Sequence, residues 1–191
     1  MTNKKLYAII DPEMSQEPRE LAARALDAGC ALLQLRAKRL DDRELLRLAF
    51  ELRDACSQGG ASFVVNDRAD IARIVGADGL HLGQDDLPIA EARRVVGEMH
   101  IGFSTHDLAQ ARRAERDGAD LIAFGPIFPT QTKENPDPVV GPERLAEVCQ
   151  SVAPPVVAIG GITPENAERA LEAGATYLAA ISALPRFIGE R

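Results

Sequence analysis

Cysteine is scarce in this sequence: Cys30, Cys56 and Cys149 are an odd number, widely spaced, with no Cys-x-x-Cys pair. That argues against a disulfide framework or a structural zinc site and suits a reduced, cytoplasmic setting. Long apolar runs are also missing. The run 6–10 is too short for a signal peptide and ends at Asp11, and no stretch approaches the roughly 18 apolar residues that span a bilayer. Nor is there a surplus of positive charge. With 22 basic against 29 acidic residues the formal net charge is −7, which argues against a nucleic-acid partner because no broad basic footprint is available. A local cationic pocket for a small phosphorylated ligand is compatible with this balance. Finally, no Gly-x-Gly-x-x-Gly follows the first apolar run, which leads into Asp11-Pro12, so a dinucleotide fingerprint is lacking.

What is there is a chain of 191 residues, 46% hydrophobic, read as one domain over 1–191 with a sizeable core. Short apolar, often β-branched runs occur at 6–10, 31–35, 62–65, 79–82, 100–103, 121–124, 156–159 and 177–181. Amphipathic stretches of helical period lie between them, the α/β pattern of a parallel sheet. Asp41 with Glu44 reads as a capping box, and Thr163-Pro164 as an N-cap followed by proline at the first helical position. A weak repeat, Ala28-Gly29-Cys30, Gly76-Ala77-Asp78, Gly118-Ala119-Asp120 and Gly174-Ala175-Thr176, supports the count. Each glycine closes a helical stretch just before a strand, where a left-handed C-cap favours glycine. Eight strands with helices between them predict a (β/α)8 TIM barrel, small for a fold of typically about 250 residues. A doubly wound open sheet is the alternative. Only 184–191 remain after the last strand and its turn, so the last helix is expected to be missing or shortened to a single turn. The Pro-rich segment 126–142 reads as an inserted loop, long enough to act as a lid.

Function in such a barrel concentrates at the C-terminal ends of the strands. Gln34, Arg36 and Lys38 alternate after strand two, so all three share the face toward the barrel mouth. Asp67 and Asp86 follow the neighbouring strands three and four. Two carboxylates without thiols or imidazole pairs suit a hard, oxygen-seeking ion such as Mg2+; the same positions equally suit caps of the helices that follow. Arg36, Lys38 and Lys133 read as a cationic rim or as a solvated face. Gly160-Gly161 and Thr163 after strand seven, with Ser182 after strand eight, occupy the usual phosphate-binding corner of these barrels, or a plain turn. Two acids and three bases at one mouth favour a magnesium–pyrophosphate site. Of the histidines, His81 reads as a satisfied interior residue, His100 lies at the far end of strand five, and His106 is a candidate acid/base group.

These segments together carry a resemblance. Gln34-Leu35-Arg36-Ala37-Lys38, Asn66-Asp67-Arg68, the run from Gly76 to Asp86, Ser104-Thr105-His106, Gly125 to Thr130 with Thr132-Lys133, Ala158 to Ile162, and Ile181-Ser182 stand in order along nearly the whole chain. In them the sequence resembles the thiamine-phosphate synthase family. The resemblance implies a (β/α)8 barrel that joins hydroxymethylpyrimidine diphosphate to thiazole phosphate and releases pyrophosphate through a pyrimidine carbocation. It also implies that Gln34, Leu35, Arg36, Ala37, Lys38 and Asn66 contact the pyrimidine diphosphate, that Asp67 and Asp86 hold Mg2+, and that Ser104 and Lys133 bind the diphosphate. Thr130, Gln131, Thr132, Gly161, Ile181 and Ser182 would hold the thiazole phosphate. Arg36 and Lys133 would be catalytic, neutralising charge on the leaving group.

Two other readings stand beside this one. Thiazole tautomerase resembles the synthase and uses acid/base residues, including a histidine where His106 stands. A non-catalytic barrel that binds a thiazole or pyrimidine phosphate is the other. The family normally continues past Ile181-Ser182 into a full last helix. Its shortening here is expected to expose apolar positions such as Leu178 and Ile181 and to favour a homodimer, unless Phe187 and Ile188 plug the gap within one chain.

Overall fold

The computed structural model describes residues 3–15, 17–130 and 138–189. Among them a 3-10 turn, Asn3–Lys5, leads into eight strands: β1 (Leu6–Ile10), β2 (Leu32–Leu35), β3 (Ser62–Asn66), β4 (Gly79–Leu82), β5 (His100–Thr105), β6 (Leu121–Phe124), β7 (Val156–Ala158) and β8 (Tyr177–Ala180). Between and after them lie α1 (Pro18–Asp27), α2 (Asp42–Gly59), α3 (Ala69–Val75), α4 (Ile89–Val96), α5 (Leu108–Arg116), α6 (Gly141–Ser151), α7 (Ala167–Glu172) and α8 (Leu184–Phe187). Each strand pairs in parallel with the next, and β8 returns to β1 with Leu6 opposite Leu178. The sheet is therefore the expected closed (β/α)8 barrel. The open-sheet alternative fails because β1 is paired along both edges.

The two-residue period of a strand sorts its side chains between two cores. Leu6, Ala8 and Ile10 of β1 face the helices, while Tyr7 and Ile9 point into the barrel with Val64, Ala123, Val157 and Ala179. Every residue of β1 is buried, as a parallel strand covered by helices on one side and a packed barrel interior on the other must be. Small residues carry much of the helix contact. Ala22 and Ala25 of α1, Ala111 and Ala114 of α5, and Ala167 and Ala170 of α7 are buried, which lets short helices lie close on the sheet.

Helix ends follow local chemistry. The Asp41 carboxylate accepts from the amides of Arg43 and Glu44 at 2.9 and 3.0 Å and opens α2. The repeat glycines Gly29, Gly76, Gly118 and Gly174 all have positive φ, between 66° and 101°, and precede β2, β4, β6 and β8. Thr163, however, does not open a helix directly. Its amide donates to the Asn166 side chain at 2.8 Å, and Asn166 in turn donates to the Gly161 carbonyl at 2.8 Å. This closes a turn over 164–166, so α7 begins only at Ala167.

The last helix is the expected single turn, but its surroundings differ from expectation. Leu184 is fully buried, and Phe187 and Ile188 pack on the helix-side core, while Arg186 pairs with Glu165. Leu178, expected to lie exposed, is only 4% exposed and belongs to the same core as Leu184. Ile181 is half-buried and borders the barrel mouth. No described helix is long and apolar enough to cross a membrane.

Candidate active site

The C-terminal ends of the strands surround a cavity of about 890 Å³. Its floor is the inward-facing layer of Tyr7, Ile9, Ala123, Val157 and Ala179. Gln34 joins that floor, buried, with its amide donating to the Tyr7 hydroxyl at 2.7 Å. Burial pushes the Tyr7 phenol above its ordinary range and keeps it protonated.

Gln34, Arg36 and Lys38 all line the cavity, as their alternation predicts. Leu35 and Ala37 lie between them, and their side chains pack into the helix-side core instead. Arg36 donates to the carboxylate of Asp11, which is buried and whose other oxygen accepts from the Glu13 amide at 2.9 Å. Lys38 Nζ lies 3.4 Å from Asp67 Oδ2.

Asn66 and Asp67 stand at the end of β3, and Asp86 follows β4, all three on the cavity wall. Asp67 has φ 61°, the only positive value at a non-glycine residue among those described. Such a conformation persists where its surroundings over-determine it; here the Asp67 amide donates to the His81 carbonyl at 2.9 Å. Asp86 Oδ2 accepts from the Gly83 amide at 2.7 Å. Burial and then the neighbouring Asp86 push the Asp67 carboxyl above the usual carboxylate range, partly offset by Lys38. The helix-cap reading of the two aspartates does not hold. α3 is preceded by Arg68 and α4 by Pro88, and neither start carries a side-chain cap.

Ser104 Oγ lies 2.8 Å from His81 Nε2, and the Gln84 side chain donates through Nε2 to the Ser104 carbonyl at 2.6 Å. His81 is an interior residue, as expected, yet it also borders the cavity. Burial lowers its pKa to about 4, so the ring is neutral near pH 7. The ring of His106 lies against the β6 end, with Nδ1 2.7 Å from the Gly125 carbonyl, and its amide donates to Gln110 Oε1 at 2.8 Å. His100 is exposed at the opposite end of β5.

Across the mouth, Gly160 and Gly161 have φ of 88° and 66°. They pass so close to the chain after β6 that a Cβ on Gly161 would stand 2.4 Å from the Pro129 carbonyl oxygen. The Ile127 and Phe128 amides donate to the carbonyls of Ile159 and Gly160 at 2.9 and 3.0 Å, fixing this crossing. The glycines are thus required by the close approach of two loops, which also shapes the corner. Thr130, Gly161, Ile181 and Ser182 line it together. Gln131, Thr132 and Lys133 lie outside the described residues, as does part of the segment 126–142 expected to act as a lid.

The sequence reading does not single out Tyr7, Ile9 or Asp11. Their signal is the period of β1 carried one step past the strand, which places Asp11 on the same inward side. Gln84 and Thr105, from two of the segments that carry the resemblance, also line the cavity, as does Gln110, which no local pattern marks.

Comparison with known proteins agrees with this geometry. The family model described as thiamine monophosphate synthase matches residues 6–184. A thiamine-phosphate synthase from Methanocella arvoryzae is 48% identical over 183 residues, covering 94% of this chain and 86% of that protein. One from Chlorobium luteolum is 46% identical over 182 residues, covering 95% and 85% respectively. The solved structure of thiamine phosphate pyrophosphorylase from Pyrococcus furiosus superposes with a TM-score of 0.87 at 34% identity, covering 98% of this chain and 96% of that one. The match runs from the first strand of the barrel to the single turn that ends it, and the chain belongs to the thiamine monophosphate synthase family.

Proposed function

We propose that this cavity joins a hydroxymethylpyrimidine diphosphate to a thiazole phosphate and releases pyrophosphate. One observation carries the reading: two unlike walls face one cavity, Asp67 and Asp86 with Arg36 and Lys38 on one side, Gly161 with Ser182 on the other. The first wall suits a metal-bound diphosphate, the second a phosphate monoester.

The acid pair fits Mg2+. Burial and mutual proximity penalise two negative charges there, which favours a cation between them. Two carboxylates would leave coordination positions for water and phosphate oxygens, as Mg2+ prefers. When bound, Mg2+ would neutralise charge that develops on the departing pyrophosphate.

The chain's own residues do the rest. Arg36, braced by Asp11, and Lys38, Asn66, Ser104 and Lys133 present positive charge or hydrogen-bond donors to the diphosphate, with Arg36 and Lys133 compensating the leaving group. Gln34 and Tyr7 meet the pyrimidine ring, and Leu35 and Ala37 contribute backbone along the same edge. Thr130, Gln131, Thr132, Gly161, Ile181 and Ser182 hold the thiazole phosphate. In the reaction the bond from the pyrimidine methylene carbon to the diphosphate oxygen breaks, and its electron pair leaves with pyrophosphate. The aminopyrimidine delocalises the cation over the apolar floor of Ile9, Ala123, Val157 and Ala179, which keeps water away. The thiazole nitrogen lone pair then forms the new carbon–nitrogen bond. No proton is removed, so no strong general base is required, consistent with His81, whose pKa of about 4 makes it a weak base.

A tautomerase needs an acid/base group and has no use for the acid pair, which favours the coupling reading. The proposal places the protein in the reducing cytoplasm, which its free, largely buried cysteines suit. The proposal includes a homodimer, for which an exposed Leu178 is not the reason, since Leu178 is buried with Leu184 in the helix-side core. Supplying thiazole phosphate alone and then with pyrimidine diphosphate tests the reading. Coupling only with both supports it; isomerisation of the thiazole alone marks a tautomerase, and binding without turnover a non-catalytic barrel.

A further inference from the structure

We propose that His81 is locked as its Nε2–H tautomer and thereby makes the Ser104 hydroxyl a fixed donor toward the diphosphate; this deepens, and rests on, the coupling reading above. His81 sits in the middle of three paired strands, opposite Asn66 on β3 and Gly102 on β5. The Tyr7 and His81 rings stand nearly perpendicular, 6.5 Å between centroids. One ring nitrogen, Nε2, lies 2.8 Å from Ser104 Oγ. The other, Nδ1, is buried and has no hydrogen-bond partner.

What Nδ1 faces is Gly102. A Cβ built on Gly102 would stand 2.7 Å from Nδ1, so the nitrogen points at the Cα hydrogens of that glycine. Those hydrogens carry weak positive charge. They attract a lone pair and repel an N–H, which would also lack any acceptor. Buried N–H groups without a partner are rarer than under-used acceptors. The same argument excludes the imidazolium, which needs an acceptor at both nitrogens. The ring proton is therefore on Nε2 and is donated to Ser104 Oγ.

A hydroxyl has one hydrogen to give. When Ser104 accepts from His81, that hydrogen is left for the cavity, which Ser104 lines. Ionised phosphate oxygens only accept. The opposite tautomer would draw the serine hydrogen to Nε2 and turn oxygen lone pairs toward the anion. His81 is thus a positioning residue that acts through Ser104, and Gly102 is the residue that fixes its tautomer.

Two measurements test this. In nitrogen-15 NMR of histidine-labelled protein at neutral pH, His81 Nδ1 is expected at the shift of a bare imidazole nitrogen and Nε2 at that of a protonated one. A protonated Nδ1 overturns the proposal. This readout needs no catalysis, so it stands apart from the coupling reading, which fails separately if the two substrates yield no pyrophosphate. The second is calorimetric binding of inorganic pyrophosphate with Mg2+. His81→Leu and Ser104→Ala are each expected to weaken it about tenfold, and the double variant no more than about twofold beyond Ser104→Ala alone. His81→Gln, which can return an N–H to Ser104, recovers most of the loss. Losses that multiply in the double variant, or no binding by the native protein, overturn the positioning role. Should His81→Leu not fold, Gly102→Ala, which displaces the ring, is expected to give the same non-additivity with Ser104→Ala; multiplying losses there also overturn it.

Discussion

Arg36, one residue beyond β2, is held by the carboxylate of Asp11, one residue beyond β1, and the Asp11 side chain is only 1% exposed while that of Arg36 is 25% exposed. A guanidinium so braced meets an anion with little loss of side-chain freedom. Asp11→Asn removes the charge but keeps an acceptor. It is expected to lower kcat/KM about tenfold and to cost about 2 kcal/mol of stability, because one partner of a mostly buried pair is left behind. Steady-state kinetics and urea unfolding check the two effects; an unchanged kcat/KM removes Arg36 positioning from the mechanism.

The acid pair makes a prediction with opposite signs for stability and activity. The folded chain holds the Asp67 proton more tightly than the unfolded chain does, because burial and Asp86 both disfavour its charge. As pH rises through that raised pKa, this group's contribution makes the fold less stable. Asp86→Asn removes one of the two charges, so the Asp67 pKa falls and stability near pH 7 is kept or slightly raised. Turnover at limiting Mg2+ is expected to fall at least about a hundredfold. Thermal unfolding measured from pH 4 to pH 8 beside the activity assay checks both; native turnover at limiting Mg2+ would rule out the metal assignment.

Gly161→Ala probes the opposite corner. The added Cβ would stand 2.4 Å from the Pro129 carbonyl oxygen and 2.6 Å from that of Phe128, at a φ of 66°. The crossing loops must separate, at a cost of about 2–3 kcal/mol. The KM for thiazole phosphate is expected to rise about tenfold while that for the pyrimidine diphosphate stays within about twofold. Equal changes in both would contradict the division of the cavity.

Leu184 tests how α8 covers the barrel. It is fully buried within the chain, so Leu184→Ala is expected to cost about 2–4 kcal/mol at every protein concentration. A loss that shrinks as concentration rises would place the cover in a partner subunit.

The barrel was legible because a glycine closes the helical stretch before every second strand, as Gly76 before β4 and Gly118 before β6 illustrate. Gln34, Arg36 and Lys38 were legible for another reason: polar residues at a two-residue period after an apolar run point one way. Asp11 was not, since a single acid ending a strand looks like any turn residue until its burial is known. The roles of His81 and Gly102 depend on pairing across β4 and β5, a register that no local pattern contains. The late start of α7 has a similar origin, because Asn166 bonds back to Thr163 and Gly161 and delays the helix that Thr163-Pro164 announces.

Pyrophosphate release tests the central claim most directly. With the purified protein, both substrates and Mg2+, one pyrophosphate is expected for each coupled product, with none when either substrate is omitted and none after EDTA. Pyrophosphate formed without thiazole phosphate at the same rate, or coupling that survives removal of Mg2+, would contradict the account.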